Sequence, residues 1–226
     1  RPRPHHHPRH GPRRGLHRRR GGAGISLLPT PTQTYPNITG VTVENLTIRN
    51  ASTGIAVNFG GDAAASPGES DPDNVVLRNV LVYADLPGST AVDLTTSAVR
   101  LSHTTLIANA PGVTLIRSTP GALPANAVFL QDNLFVALPN GAPLPAWWSD
   151  AAGNPGPTLN SHSGFASQNG AAGDWSVAPA GNPATLMTVA EADFLDVVEQ
   201  VFRIGAGSAA RGQASNGSDL GYYTYR

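Results

Sequence analysis

Four segments decide how this chain folds: VTVENLTI (Val41 to Ile48), VVLRNVLV (Val75 to Val82), VRLSHTTL (Val99 to Leu106) and VFLQDNLF (Val128 to Phe135). They align without gaps, and their starts lie 34, 24 and 29 residues apart. The first column reads Val41, Val75, Val99, Val128, and the column two positions on reads Val43, Leu77, Leu101, Leu130. Side chains two apart share one face of a strand, so these columns form one apolar face. The fifth column, Asn45, Asn79, His103 and Asp132, holds residue types that tolerate a left-handed backbone or hydrogen-bond it locally. Beyond it the apolar column resumes at Ile48, Val82, Leu106 and Phe135.

A strand, a tight polar corner and a second strand, recurring every 24 to 34 residues, describe one coil of a parallel β-solenoid. Stacked coils turn the apolar columns into an internal ladder and let the corner residues Asn45, Asn79, His103 and Asp132 hydrogen-bond along the axis. GIAVNF (Gly54 to Phe59), TAVDLT (Thr90 to Thr95) and GVTLIR (Gly112 to Arg117) supply a third strand per coil. The expectation is an all-β chain of about four or five coils. Loops account for the varying period, and GGDAAASPGESDPDN (Gly60 to Asn74) bulges from the first coil.

Composition agrees. The 226 residues include 25 Gly and 20 Pro, which disfavour a helical bundle and favour short strands joined by turns. There is no Cys for a disulfide and no run near the roughly 18 apolar residues of a membrane span. All 15 basic residues are arginines, and eight lie in the first 20 positions. A +8 tail interleaved with prolines and histidines therefore precedes a body of seven arginines and fifteen acids, a net −8. The organisation expected is a basic tail over 1–24, β-helix coils over 25–140 and a loop-rich closing segment over 141–226. Three readings compete for the tail: a solvated or precursor segment, a polyanion binder, and a segment docking on an acidic body through Arg13, Arg14, Arg18, Arg19 and Arg20. Nucleic acid is disfavoured because no aromatic residue stands among the arginines to stack bases. Adjacent histidines on such a chain form no defined metal site. Ile25 to Leu28 is too short for the apolar core of a secretory signal, so the expectation is a mature product or fragment whose export signal has been removed.

With these residues in view, the repeat resembles the right-handed parallel β-helix of pectate-lyase-like proteins, whose coils commonly carry an apolar-x-apolar-x-Asn corner. The stretch Asp193 to Arg226 is similar to the ending of bacterial secreted β-helix proteins, with Phe202, Gly207, Ser208, Ala209, Gly212, Asp219, Leu220, Gly221 and Tyr223 at the matching places. The resemblance implies a short right-handed parallel β-helix at an extracellular or cell-surface location, with a bacterial source. It implies little about activity, because the fold hosts lyases, hydrolases, adhesins and inert surface proteins alike. Two departures stand out: fewer coils than the family's enzymes, and Ala209 where a proline is usual. Thr188 with Glu191 three residues later also reads as a helix capping box opening an amphipathic Val189 to Arg203, whereas the family pattern asks for extended or mixed structure there.

The chemistry is sparse. A lyase of this fold needs cationic groups to neutralise a uronate and a base to remove its proton, yet Lys is absent and only His103 and His162 lie outside the tail. A hydrolase needs paired carboxylates, but the outward column beside the corner, Glu44, Arg78, Ser102 and Gln131, supplies one; Asp93 and Asp85 are the other acids near the coils. No cofactor is required by any motif. Ca2+ is the ion that the oxygen-rich cluster Asp62, Glu69, Asp71 and Asp73 would take, although its spacing matches no Ca2+ motif. Trp147 and Trp148, adjacent on a strand, would point to opposite faces, exposing one as a platform for a sugar ring or else capping the core. The function class favoured is a non-catalytic extracellular or cell-surface module acting in structural assembly, with a head-to-tail filament as one form of it, or in glycan contact, with self-association or an extracellular polysaccharide as partner. The alternative is a polysaccharide lyase or glycoside hydrolase.

Overall fold

The computed structural model describes residues 22–27, 41–57, 75–94, 99–118, 128–138, 143–150, 157, 159–177, 179, 184–196 and 201–222. The strands are β1 (Ala23–Leu27), β2 (Thr42–Arg49), β3 (Thr53–Val57), β4 (Val75–Ala84), β5 (Thr90–Leu94), β6 (Val99–Ser102), β7 (Thr105–Ala108), β8 (Thr114–Ser118), β9 (Val128–Gln131), β10 (Leu134–Ala137), β11 (Ala146–Asp150), β12 (Leu159–Ser161), β13 (Ser163–Ser167) and β14 (Ala184–Thr188). A short helix α1 (Val189–Ala192) and the strands β15 (Phe194–Asp196) and β16 (Val201–Ile204) follow.

One parallel sheet runs β1-β3-β5-β8-β11. In the other, β2 pairs along the length of β4, whose first half continues into β6, β9 and β12 and whose second half continues into β7, β10, β13 and β14. The chain is thus a short parallel β-helix with three strand segments per coil. The aligned columns are the register: Val43 faces Leu77, Leu77 faces Leu101 and Leu101 faces Leu130. Each corner residue is left-handed, with φ of 57, 52, 47 and 60° at Asn45, Asn79, His103 and Asp132. His162, at φ 49°, makes a fifth corner. Its coil was hidden in the sequence because Asn160 stands where Leu130 does, while Phe165 pairs with Phe135.

The interior changes calibre along the axis. In register between paired neighbours, one inward column reads Gly24, Gly54, Ala91, Leu115, Trp147. At the narrow end a Cβ on Gly24 would lie 2.5 Å from Ile48 Cγ2, and one on Gly54 2.5 Å from the Ala91 carbonyl oxygen, so nothing larger than hydrogen fits. At the wide end Trp147, Phe135, Phe165 and Trp175 fill the same space with aromatic rings, Trp147 standing edge-on to Phe165 at 5.3 Å.

A second core lies outside the sheet. Alternate residues of β4, β7 and β10 point inward (Val82, Leu106, Phe135) or outward (Leu81, Tyr83, Ile107, Leu134, Val136), and the outward set is buried as well. Ala192, Phe194, Phe202, Ala210, Ala214 and Leu220 cover it. Phe202 stacks on Tyr83 at 5.3 Å and meets Phe194 edge-on at 5.5 Å; each such ring contributes about 2–3 kcal/mol by leaving water. Both sequence signals for this region hold in part. The capping box forms, with Glu191 N–H on Thr188 Oγ1 at 3.0 Å and Thr188 N–H on Glu191 Oε2 at 2.6 Å. The helix nevertheless stops at Ala192, Asp193 turns left-handed at φ 47°, and β15 pairs antiparallel with β16. Mixed structure wins because Phe202 has to stack on Tyr83 while Phe194 packs against Phe202. Ala209 donates its N–H to the Glu191 carbonyl at 2.8 Å, a bond that a proline at this position could not make.

Candidate functional site

The corner ladder is tied along the axis and capped from outside. Asn79 Nδ2 donates to Asn45 Oδ1 at 2.7 Å. Farther along, His103 Nε2 lies 3.6 Å from Asp132 Oδ2, and both residues are buried. Asp132 accepts the Ser215 N–H at 2.6 Å and the Ser215 hydroxyl at 2.8 Å, while Gln131 Nε2 donates to that hydroxyl at 2.7 Å. Gly221 N–H reaches the Asp132 carbonyl at 2.9 Å. The carboxylate thus anchors the C-terminal segment to the coils. The sequence reading missed Asn133, which is fully buried: its Oδ1 accepts the Thr104 N–H at 3.0 Å and its Nδ2 donates to the Leu101 carbonyl at 3.1 Å. An asparagine following the corner in a single coil was the available signal.

Of the carboxylates that a hydrolase would use, Glu44 and Asp93 are engaged. Glu44 and Arg78 face each other in register, Arg78 Nε donating to Glu44 Oε2 at 3.1 Å. Asp93 and Arg117 do the same on the other sheet, with Nε to Oδ1 at 3.0 Å. The hydrogen bond to Asp93 is the chief reason the Arg117 guanidinium is held even more firmly protonated, against a smaller opposing effect of burial. Asp85 lies in the turn between β4 and β5. Among the described residues no three His, Asp or Glu side chains converge to hold a metal. The cluster Asp62, Glu69, Asp71 and Asp73 and the tail residues Arg13, Arg14, Arg18, Arg19 and Arg20 lie outside the described residues.

The tryptophan platform is corrected by the structure. Trp147 and Trp148 are 2% and 5% exposed, and both belong to the inner core. The expectation of opposite faces fails because β11 occupies the place where the preceding strands also bury two successive residues: Ala91 and Val92 on β5, Leu115 and Ile116 on β8. Neither indole offers a sugar a surface.

What remains outward is a ribbon on β4, β6, β9 and β12. One line reads Val76, Arg100, Phe129, Leu159, in register. The line beside it reads Arg78, Ser102, Gln131, Ser161. Arg100 is exposed, and its guanidinium carbon sits 5.7 Å from the centre of the Phe129 ring, within cation–π range. Leu159 is 47% exposed. Arg78, Arg117 and Arg211 each face a carboxylate, whereas no carboxylate lies within ion-pair reach of Arg100 among the described residues. No family model matches this chain, and no curated protein or solved structure matches it. The arrangement offers an apolar and cationic line beside a line of hydroxyl and amide groups, repeated at the strand spacing of about 4.8 Å.

Proposed function

We propose that the chain is a non-catalytic extracellular or cell-surface β-helix module that contacts an acidic polysaccharide along the ribbon of β4, β6, β9 and β12. The observation that carries this reading is the line Val76, Arg100, Phe129, Leu159 beside Ser102, Gln131 and Ser161. A sugar ring has an apolar face and a hydroxylated edge, and a uronate adds a carboxylate. Phe129 and Leu159 suit the face, Ser102 and Ser161 the edge, and the Arg100 guanidinium the carboxylate. The non-catalytic half of the reading is supported by the engagement of Glu44, Asp93 and Asp132 in structural contacts. Placement among pectate-lyase-like proteins, and with it outside the cell, is supported by the corner pattern Asn45, Asn79, His103, Asp132 and by the left-handed backbone at each of those positions.

The test is affinity electrophoresis of the whole chain through gels containing polygalacturonate, alginate or neutral glucan, with and without Ca2+. Retardation by the acidic polymers alone is expected, with Arg100→Ala and Phe129→Ala each weakening it about tenfold. Absence of retardation in every gel sinks the proposal. Accumulation of an unsaturated or shortened sugar product would instead establish the lyase or hydrolase alternative.

A further inference from the structure

Among the described residues each of the two parallel sheets carries a cross-strand ion pair on its outside, and the two pairs are not built alike. Arg117 holds Asp93 as a fork: Nε donates to Oδ1 at 3.0 Å and Nη2 donates to Oδ2, so both carboxylate oxygens are engaged. The Asp93 side chain is only 20% exposed. Arg78 meets Glu44 through a single oxygen: Nε donates to Oε2 at 3.1 Å, and Nη2 donates to the same atom. The side chains of this pair are 55% and 40% exposed. A two-oxygen fork adds geometric definition as well as strength, whereas a one-oxygen contact in water contributes little and exchanges readily for another anion.

The exchangeable pair lies on the ribbon. Glu44 faces Arg78 in register, Arg78 faces Ser102, and Arg100 faces Val76. Leu77 and Leu101, next to the two arginines in sequence, belong to the inner core, so Arg78 and Arg100 share the outward face. Strand spacing and rise set their Cα atoms roughly 8 Å apart on the diagonal. Two guanidinium groups from successive coils thus stand side by side, one resting on the Phe129 ring and the other held by Glu44.

We infer that Arg78 is a second anion subsite of the ribbon and that Glu44 is its built-in competitor, displaced by a polymer that carries carboxylates on successive sugars. The inference rests on the reading of the ribbon as a polysaccharide surface. A polymer lying along the solenoid axis meets Arg100 in one coil and Arg78 in the next, so a polyuronate engages both, whereas a glycan with isolated acids engages Arg100 alone. Binding at Arg78 exchanges one carboxylate for another. Glu44 therefore sets a threshold that favours densely charged ligands over sparsely charged ones.

Affinity electrophoresis of the full chain through polygalacturonate, with the methyl-esterified polymer as uncharged control, tests this. Glu44→Gln removes the competing charge and keeps the shape of the side chain. It should tighten binding to polygalacturonate about two- to fivefold, the scale of an exposed ion pair, and leave behaviour in the ester gel unchanged. Added to Arg78→Ala, the same substitution should do little. Asp93→Asn changes the net charge by the same amount on the other sheet and should leave binding as it was. A gain from Glu44→Gln that persists in full without Arg78, or that Asp93→Asn reproduces, would reflect general repulsion of an anionic polymer and overturn the inference. Unchanged retardation of Glu44→Gln, where the unmodified chain is retarded, overturns it too and leaves the ribbon reading standing. If neither the unmodified chain nor Glu44→Gln is retarded, the ribbon reading fails and the inference falls with it. Urea midpoints close to that of the unmodified protein should show that each variant is folded.

Discussion

The first and last coils of this solenoid share one backbone plan and differ in what fills them. At the first coil the inward column is glycine and the flanking apolar residues are half-buried. At the last coils the same column is Trp147, surrounded by Phe135, Phe165 and Trp175. In a stacked repeat each coil contacts only its neighbours, so stability is the sum of coil and interface contributions, and a terminal coil has one interface fewer. The wide end replaces the missing interface with aromatic bulk from its own chain. The narrow end has no such plug among the described residues.

The largest effect should come from removing that plug. Trp147→Ala deletes a fully packed indole and leaves a cavity that the surrounding rings cannot close, at a cost of about 3–5 kcal/mol. Val43→Ala, a truncation at the open end, should cost under about 1 kcal/mol, because the side chain is half in water already. Urea unfolding of the two variants measures the contrast. Equal losses would mean that the first coil is as well covered as the last, and the difference between the ends would disappear.

This contrast also marks how far the sequence could be read. The four in-register segments and their corners were visible because residues that point into one ladder must be alike, and Val, Leu and Ile columns can be seen by eye. The count of about four or five coils left room for a fifth, but its strands were not aligned because Asn160 breaks the apolar column, and its membership rests on the Phe165 pairing that only stacking reveals. The tryptophans were legible as core or platform but not as which, since two successive buried residues break the alternation on which the platform argument rested. The ribbon escaped notice for another reason. Val76, Arg100, Phe129 and Leu159 share no chemistry as a column, so no periodicity points to them. The anchor of the C-terminal segment, Ser215 on Asp132, joins residues 83 apart with no local signal.

That anchor gives the next comparison, between the inner core and the outer one. Asp132→Ala removes the acceptor of two Ser215 hydrogen bonds and puts a methyl side chain at a left-handed φ of 60°. The combined cost is about 2–4 kcal/mol. Asp132→Asn keeps a side chain that tolerates this backbone and can still accept one bond, so it should cost roughly half as much. Hydrogen exchange locates the damage. Amides of 205–222 should lose protection in Asp132→Ala while those of β5 and β8 keep theirs. Uniform loss across both would show that the outer layer and the coils unfold as one unit.

The smallest effect tests the turn that carries the chain from the last coil into the outer layer. Glu191 is held below the ordinary glutamate value of 4.5, chiefly by the Thr188 backbone N–H and then by its hydroxyl. A carboxyl whose native value is depressed contributes stability that is present above 4.5 and is lost as pH falls through the lower native value, because the unfolded chain takes up the proton first. Glu191→Gln keeps a residue that completes a capping box but cannot titrate. Its stability should therefore lie close to that of the unmodified protein in acid, fall behind it as pH rises from the depressed native value to 4.5, and stay behind above that, a small divergence read by urea midpoints at several pH values. The exposed position of Glu191 keeps the difference modest. A divergence that opens toward acid instead would mean that the box forms only when the carboxyl is protonated, and that α1 is held by packing against β13 and β14 and not by its cap.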